Sequence, residues 1–148
     1  MNFRPCIDLH DGKVKQIVGS TLGYENKEVI ENFTSDQDAS YYASLFQQNN
    51  LTGGHVIMLG PGNEEAAIRA LHAYPNGLQI GGGITADNAQ KYIDSGASHV
   101  IVTSYIFHDG LLDMNRLQQL VKEIGKEHLV IDLSCRKRND KWYVVTDK

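Results

Sequence analysis

Cysteine is scarce in this chain. Cys6 and Cys135 lie 129 positions apart, with no C-x-x-C spacing. That excludes a disulfide-stapled scaffold and a cysteine-rich zinc site, and it fits two buried or inert thiols in a reducing cytosol. No apolar run approaches the ~18 residues of a membrane span. The start, MNFRPCIDLHDGK, carries Asp8 and no long apolar core, so no signal peptide is expected. Basic charge is not in excess: 14 Lys and Arg face 18 Asp and Glu, for a net charge of −4. No global positive field points to nucleic acid. The six histidines (His10, His55, His72, His99, His108, His128) show no paired ligand spacing, so no metal is expected. No linker or low-complexity stretch divides the 148 residues, which read as one domain, 1–148.

Glycine is plentiful where it costs most. In GLQIGGGITADNAQ, residues 77–90, Gly81, Gly82 and Gly83 stand together between a short apolar run and a helix-like segment. Glycine loses more backbone entropy on folding than other residues, so a triplet implies a sharp bend or a close approach. Around it, apolar runs alternate with amphipathic segments. The runs are Phe3–Leu9, His55–Leu59, Leu78–Ile80, His99–Thr103 and Leu129–Leu133. Between them Ser35, Asn63, Thr85 and Asp113 can cap helices. Inner faces are expected at Ala39, Tyr42, Ala43 and Phe46; at Ala67, Ile68 and Leu71; at Ala89, Tyr92 and Ile93; and at Met114, Leu117, Val121 and Ile124. This order predicts parallel βαβ units, with strands apolar enough to be buried on both faces.

An internal echo narrows the fold. Ile7-Asp8-Leu9 ends the first run and Ile131-Asp132-Leu133 ends the fifth, and each is followed by a polar turn and an apolar return. A second half that repeats the first, four strands each, predicts an eight-stranded β/α barrel, the TIM (β/α)8 architecture. That fold needs ~250 residues. The chain is therefore expected to be an incomplete barrel of about five βα units, cut at Lys148.

In such a fold, chemistry sits at the C-terminal strand ends. That places Asp8 and Asp132 on one rim as a pair of carboxylates for general acid and base work. Asp8 could otherwise be a strand-end acceptor for its own turn, HDGK. Gly81, Gly82 and Gly83, with Thr103 and Ser104, form a candidate phosphate cradle of backbone amides and hydroxyls; a tight turn alone is the simpler alternative. GGGITA also fits the dinucleotide pattern, but the next strand ends in Val102-Thr103-Ser104 rather than in an acid, so that reading fails. Arg136-Lys137-Arg138 is a solvated tip or a loop reaching an anionic substrate, and Gly19–Tyr24 is expected to be a rim loop.

The segments FRPCIDLHDGKVKQIVG, HVIMLGPGNEEAAIRAL, YPNGLQIGGGIT, HVIVTSYIF and HLVIDLSCRK together resemble the histidine-biosynthesis isomerases, in wording closest to the eukaryotic branch. These enzymes act on phosphoribosylformimino-aminoimidazole carboxamide ribotide (ProFAR). The resemblance implies an Amadori rearrangement of a bis-phosphorylated ribotide, without cofactor or metal, in a cytoplasmic protein that is monomeric at full length. It implies that Asp8 takes the sugar C2 proton and Asp132 opens the furanose ring. It also implies that Gly81–Gly83 with Thr103 and Ser104 hold one phosphate, with Gly19 and Arg136 as possible substrate-loop residues. The other phosphate site and an assisting threonine belong to later strands of the family's barrel, so the 148 residues alone are expected to turn over poorly. Met58-Leu59-Gly60 and Thr85 depart from an aspartate and an arginine found in many relatives.

Two further readings stay open. One is the sibling cyclase barrel of imidazole glycerol phosphate synthase, disfavoured because Gln16 and Ile17 stand near where its lysine and glycine are expected. The other is an inactive phosphate-binding half-barrel that dimerises through uncovered strand edges.

Overall fold

A computed structural model of the chain describes residues 2–17 and 31–146. The Gly19–Tyr24 expectation, Gly19 included, falls outside the described residues. The elements run β1 Cys6–His10, β2 Lys13–Ile17, β3 Glu31–Thr34, α1 Ala39–Gln48, β4 Gly54–Met58, α2 Glu64–Ala73, β5 Leu78–Gly81 and α3 Ala86–Asp94. They continue with β6 His99–Val102, β7 Phe107–His108, β8 Leu111–Leu112, α4 Met114–Ile124, β9 Leu129–Ile131, β10 Cys135–Arg138 and β11 Lys141–Val144. One seven-stranded sheet has the order β3-β2-β1-β4-β5-β6-β9. Its last five strands are parallel neighbours, and α1 to α4 supply the crossovers. The five expected βα strands are therefore present, in an open α/β sheet. Among the described residues no closed ring forms.

The sheet buries one face rather than two. Ile7, Leu9, Val56, Leu78, Ile80, Val100 and Val102 point under the helices and are 0–2% exposed. They meet Ala39 and Ala43 of α1, Ala66, Ala67, Ala70 and Leu71 of α2, Ala89 and Tyr92 of α3, and Leu120 and Ile124 of α4. Side chains alternate across a strand, so the opposite face carries Cys6, Asp8, His55, Ile57, Gln79, His99, Ile101 and Val130. On this face Cys6 is exposed, and Asp8, Ile57, Ile101 and Val130 are intermediate. The apolar half of this set made the strands read as doubly buried. No element among the described residues covers it.

Caps and inner faces differ from expectation at three points. Ser35 does not cap α1. It is buried; its Oγ accepts from Gln37 N at 2.9 Å and shares a 2.8 Å hydrogen bond with Tyr42 OH. Asp38 is the cap, accepting from Ser40 N at 3.2 Å. Asn63 occupies the N-cap position of α2, but its side chain makes no cap bond and is spent elsewhere. On α4 the buried residues are Leu120 and Ile124, while Met114 and Val121 are 52% and 37% exposed. That apolar stripe is wider than the sheet contact it serves. Asp113 caps α4 as expected, accepting from Arg116 N at 3.1 Å.

Asp38 also receives Arg69 of α2, whose Nη2 donates to Oδ1 at 2.9 Å and whose Nε lies 3.3 Å from both oxygens. The Arg69 hydrogen bonds hold the Asp38 carboxyl far below the usual range. A depressed folded pKa stabilises above the unfolded value near ~3.9, and that stability is lost as pH falls through the folded value. Both side chains are well exposed, at 50% for Arg69 and 39% for Asp38, so the pair adds little beyond the cap. Asp38→Ala is expected to cost about 1–2 kcal/mol at pH 7 and progressively less below pH ~4. Urea unfolding at pH 7 and pH 3 checks this; a pH-independent loss contradicts it.

The Ile-Asp-Leu echo has a structural counterpart. Each copy leads into an antiparallel hairpin turned by two residues at positive φ, Asp11 and Gly12 (52° and 72°) in one and Asn139 and Asp140 (47° and 62°) in the other. Such turns match the strand twist. In the first copy β1 itself pairs with β2. In the second, β10 and β11 form a hairpin separate from β9.

Candidate active site

Register places the two aspartates. Asp8 pairs with Ile57, Ile57 with Gly81, Gly81 with Ile101 and Ile101 with Val130. Asp132 lies two residues beyond Val130, and its N–H still donates to Val102 O at 3.0 Å. A two-residue step returns to the same side of a strand. Asp8 and Asp132 therefore share the open face at the C-terminal ends of the first and fifth parallel strands. Four strand spacings separate them, about 19 Å measured along the sheet.

They do not share a cleft. Asp132 lies with Thr103, Ser104, Phe107, Leu133, Ser134 and the root of the last hairpin, Val144 to Thr146. The cleft there measures about 10 Å³, room for roughly one water. Asp8 lies in a separate cleft of about 380 Å³, lined by Cys6, Val14, Lys15, Gln16, Phe33 and Tyr42. So Asp132, Thr103 and Ser104 are brought together, and Asp8 stands apart from them. Neither cleft includes the glycine triplet.

The three glycines have different reasons. A Cβ on Gly81 would come within 3.0 Å of Ile57 Cδ1 and 3.2 Å of Ile101 Cβ, its neighbours on the open face. Gly82 sits at φ +93°, and a Cβ there would overlap the Met58 carbonyl. Packing alone requires glycine at Gly82, whereas at Gly81 the Ile57 and Ile101 side chains would have to give by a few tenths of an ångström. Gly83, at φ +68°, faces open space, so it is the member of the triplet where a ligand could take the room a side chain leaves. It is held from below: Asn88 Nδ2 donates to Gly83 O at 3.0 Å, while Thr85 N donates to Asn88 Oδ1 at 2.9 Å at the start of α3.

Asn63 ties the rim together. It is 1% exposed. Its Oδ1 accepts from Gly12 N at 2.8 Å, and its Nδ2 donates to Gly60 O at 2.9 Å and Leu59 O at 3.2 Å. The turn after β1 is thereby fixed to the loop after β4, all within one satisfied buried amide. The sequence offered an N-cap position and no sign of this longer-range role.

Arg136 is on the exposed hairpin. Pairing of Arg136 with Tyr143 and of Arg138 with Lys141 puts these four on one face, and Lys137 with Trp142 on the other. Of the expected buried or inert thiols, the structure corrects the burial: Cys6 and Cys135 are both exposed. Cys6 donates to Asp8 Oδ1 at 3.0 Å. The i, i+2 spacing of Cys6 and Asp8 on a strand was the available signal for that contact. Among the described residues, no three His, Cys, Asp or Glu side chains gather to hold a metal ion. No helix among them is long and apolar enough to cross a membrane.

Parallel strands joined by helices, with carboxylates and hydroxyls gathered at the C-terminal strand ends, define the class: an α/β protein of the (β/α)8-barrel type, seen here as an open sheet. The chain belongs to the histidine biosynthesis protein family, whose model matches residues 3–148. A relative from Medicago truncatula, named as a chloroplastic 1-(5-phosphoribosyl)-5-((5-phosphoribosylamino)methylideneamino) imidazole-4-carboxamide isomerase, is 57% identical over 154 residues, covering 100% of this chain and 49% of its own. Isomerases of the same name from Neurospora crassa and Saccharomyces cerevisiae are 50% and 46% identical, each covering 99% of this chain, with 58% and 57% of their own length matched. The chain thus spans about half to three-fifths of the relatives it matches.

Proposed function

We propose that this chain carries the acid–base residues of an aldose-to-ketose isomerase acting on the bis-phosphorylated ribotide ProFAR, an intramolecular oxidoreductase reaction of histidine biosynthesis. The observation that supports it best is the placement of Asp8 and Asp132 on one sheet face, at the same ends of the first and fifth parallel strands. Asp132 acts as the acid that protonates the ring oxygen and opens the furanose to a C1 imine. Asp8 removes the C2 proton. The C2 hydroxyl of the resulting enaminol gives up its proton as C2 becomes the carbonyl, and the enaminol electrons take up a proton at C1. C2 is oxidised and C1 reduced within one molecule, so the exchange balances without an external electron carrier. Thr103 and Ser104 beside Asp132, with Gly83 on the neighbouring strand end, receive one phosphate. Arg136 and Gly19 belong to segments that could approach the substrate. The two cysteines, unpaired with each other, support a reducing compartment such as the cytoplasm.

The test is to incubate the longest natural form of the protein with ProFAR and separate the products chromatographically. The ribulosyl isomer, formed without added glutamine or ammonia, is expected. Product that appears only with an ammonia source points to the sibling cyclase and overturns the isomerase reading. The exposed edge of β9 and the uncovered sheet face favour one second reading, self-association of copies. Concentration-dependent dimers with phosphate binding and no turnover would support that instead.

A further inference from the structure

Cys6 is the residue of the open face whose contact the acid–base reading does not use. It sits two positions before Asp8 on β1, so both side chains leave the strand on the same side. The residues between and after them, Ile7 and Leu9, are 1% and 0% exposed under the helices, and β1 is paired to β4 from Cys6 to Leu9. The strand is therefore held in register, and both side chains leave it on the open face two residues apart. The contact between them is short: Cys6 Sγ lies 3.0 Å from Asp8 Oδ1.

We propose that Cys6 is a positioning residue for Asp8: its thiol donates to Oδ1, fixes the carboxylate plane, and directs Oδ2 toward the substrate carbon. The proposal rests on the reading of Asp8 as the base. Two anions at this separation repel, so an ionised Asp8 requires the sulfur to keep its proton. The surroundings agree. Although the residue as a whole is exposed, desolvation of the sulfur by the groups packed around it, then its hydrogen bond to the Asp8 carboxylate, push its pKa above the ordinary thiol value. That is the reverse of a nucleophilic cysteine, whose thiolate is favoured by nearby positive charge. Other titratable groups are placed around the pair. Lys15 of β2 and Tyr42 of α1 line the same cleft, with Lys15 also 3.4 Å from Asp11. His10 follows Asp8 on the same face and lies 3.1 Å from Asp11, and His55 is level with Cys6 on β4.

The contact and its role are tested separately. With Cys135→Ser as background, Cys6 is the one thiol of the chain, and its alkylation by iodoacetamide at pH 8.5 is followed by mass spectrometry. Asp8→Asn is expected to speed alkylation about tenfold by removing the charge that disfavours thiolate. Equal rates overturn the proposal and leave Asp8 as the base untouched. Turnover of ProFAR is then measured in the longest natural form. Cys6→Ala is expected to lower kcat about tenfold with KM within about twofold, and Cys6→Ser, which restores a donor, to recover most of it. A wild-type kcat in Cys6→Ala, or a parallel loss in Cys6→Ser, overturns the positioning role. If Asp8→Asn retains turnover, the base reading fails, and the alkylation result still reports whether the contact exists.

Discussion

Asp8→Asn and Asp132→Asn are each expected to lower kcat by about 10³ or more, with ProFAR still bound. The expectation follows from the chemistry each carboxylate is assigned. A positioned acid or base contributes typically 10² to 10⁴, and an asparagine keeps the shape while it can neither accept the C2 proton nor supply one to the ring oxygen. Binding is expected to survive because, on the proposed reading, the phosphates and not the carboxylates hold the substrate. The two variants separate by where they stop. Asp132→Asn halts before ring opening and leaves the furanose intact. Asp8→Asn permits opening and stalls at the imine, so a trapping reductant captures an open-chain species in Asp8→Asn alone. Quenched-flow kinetics with substrate in excess, and isothermal titration for binding, give both halves. A kcat within tenfold of wild type in either variant contradicts its role.

The second large effect concerns the glycine triplet, whose members look alike in sequence and are not alike in space. Gly82→Ala forces a Cβ against the Met58 carbonyl, at a φ of +93° that side chains rarely adopt. The backbone of β4 cannot yield without breaking its pairing to β1 and β5. A loss above about 3 kcal/mol is expected, a large share of the roughly 5–15 kcal/mol that holds a domain folded. Gly83→Ala meets nothing within 4 Å and sits at φ +68°, in the left-handed region that costs about 1–2 kcal/mol. It should fold, with inorganic phosphate binding weakened about tenfold, because the new methyl occupies the space left for the ligand. Thermal unfolding and phosphate titration by 31P NMR check the pair. A Gly82→Ala protein as stable as wild type, or a Gly83→Ala protein with unchanged phosphate affinity, contradicts this division of roles.

Much of the fold was legible because parallel βα units write themselves in short apolar runs separated by capped helices. All five runs became neighbouring strands, and Asp113 caps α4 as its position suggests. The two misses among the caps share a cause: a polar side chain near a helix start has more than one way to satisfy a backbone group. Ser35 turned to Tyr42 and Gln37, and Asn63 reached across to Gly12, 51 residues away. No local pattern encodes a partner that distant. Met114 and Val121 have helical apolar spacing yet remain exposed, because periodicity reports which face is apolar and not whether an element covers it. The site was partly legible. Ile-Asp-Leu at two strand ends marked both carboxylates, and register then put them on one face. The Cys6–Asp8 contact was legible in its i, i+2 spacing; what was not is the hairpin root, Val144 to Thr146, lying with Asp132, Thr103 and Ser104 at the fifth strand end. That is a tertiary contact with no sequence signature.

The account's central claim is that Asp8 and Asp132 serve one substrate in one reaction. A double-mutant cycle tests it most directly: kcat/KM for ProFAR in wild type, Asp8→Asn, Asp132→Asn and the double variant, each in the longest natural form. Residues that act as a unit are strongly non-additive. The double variant is therefore predicted to fall within about tenfold of the worse single variant. Losses that multiply, the sign of two independent contributions, would contradict the claim, as would substantial activity in either single variant.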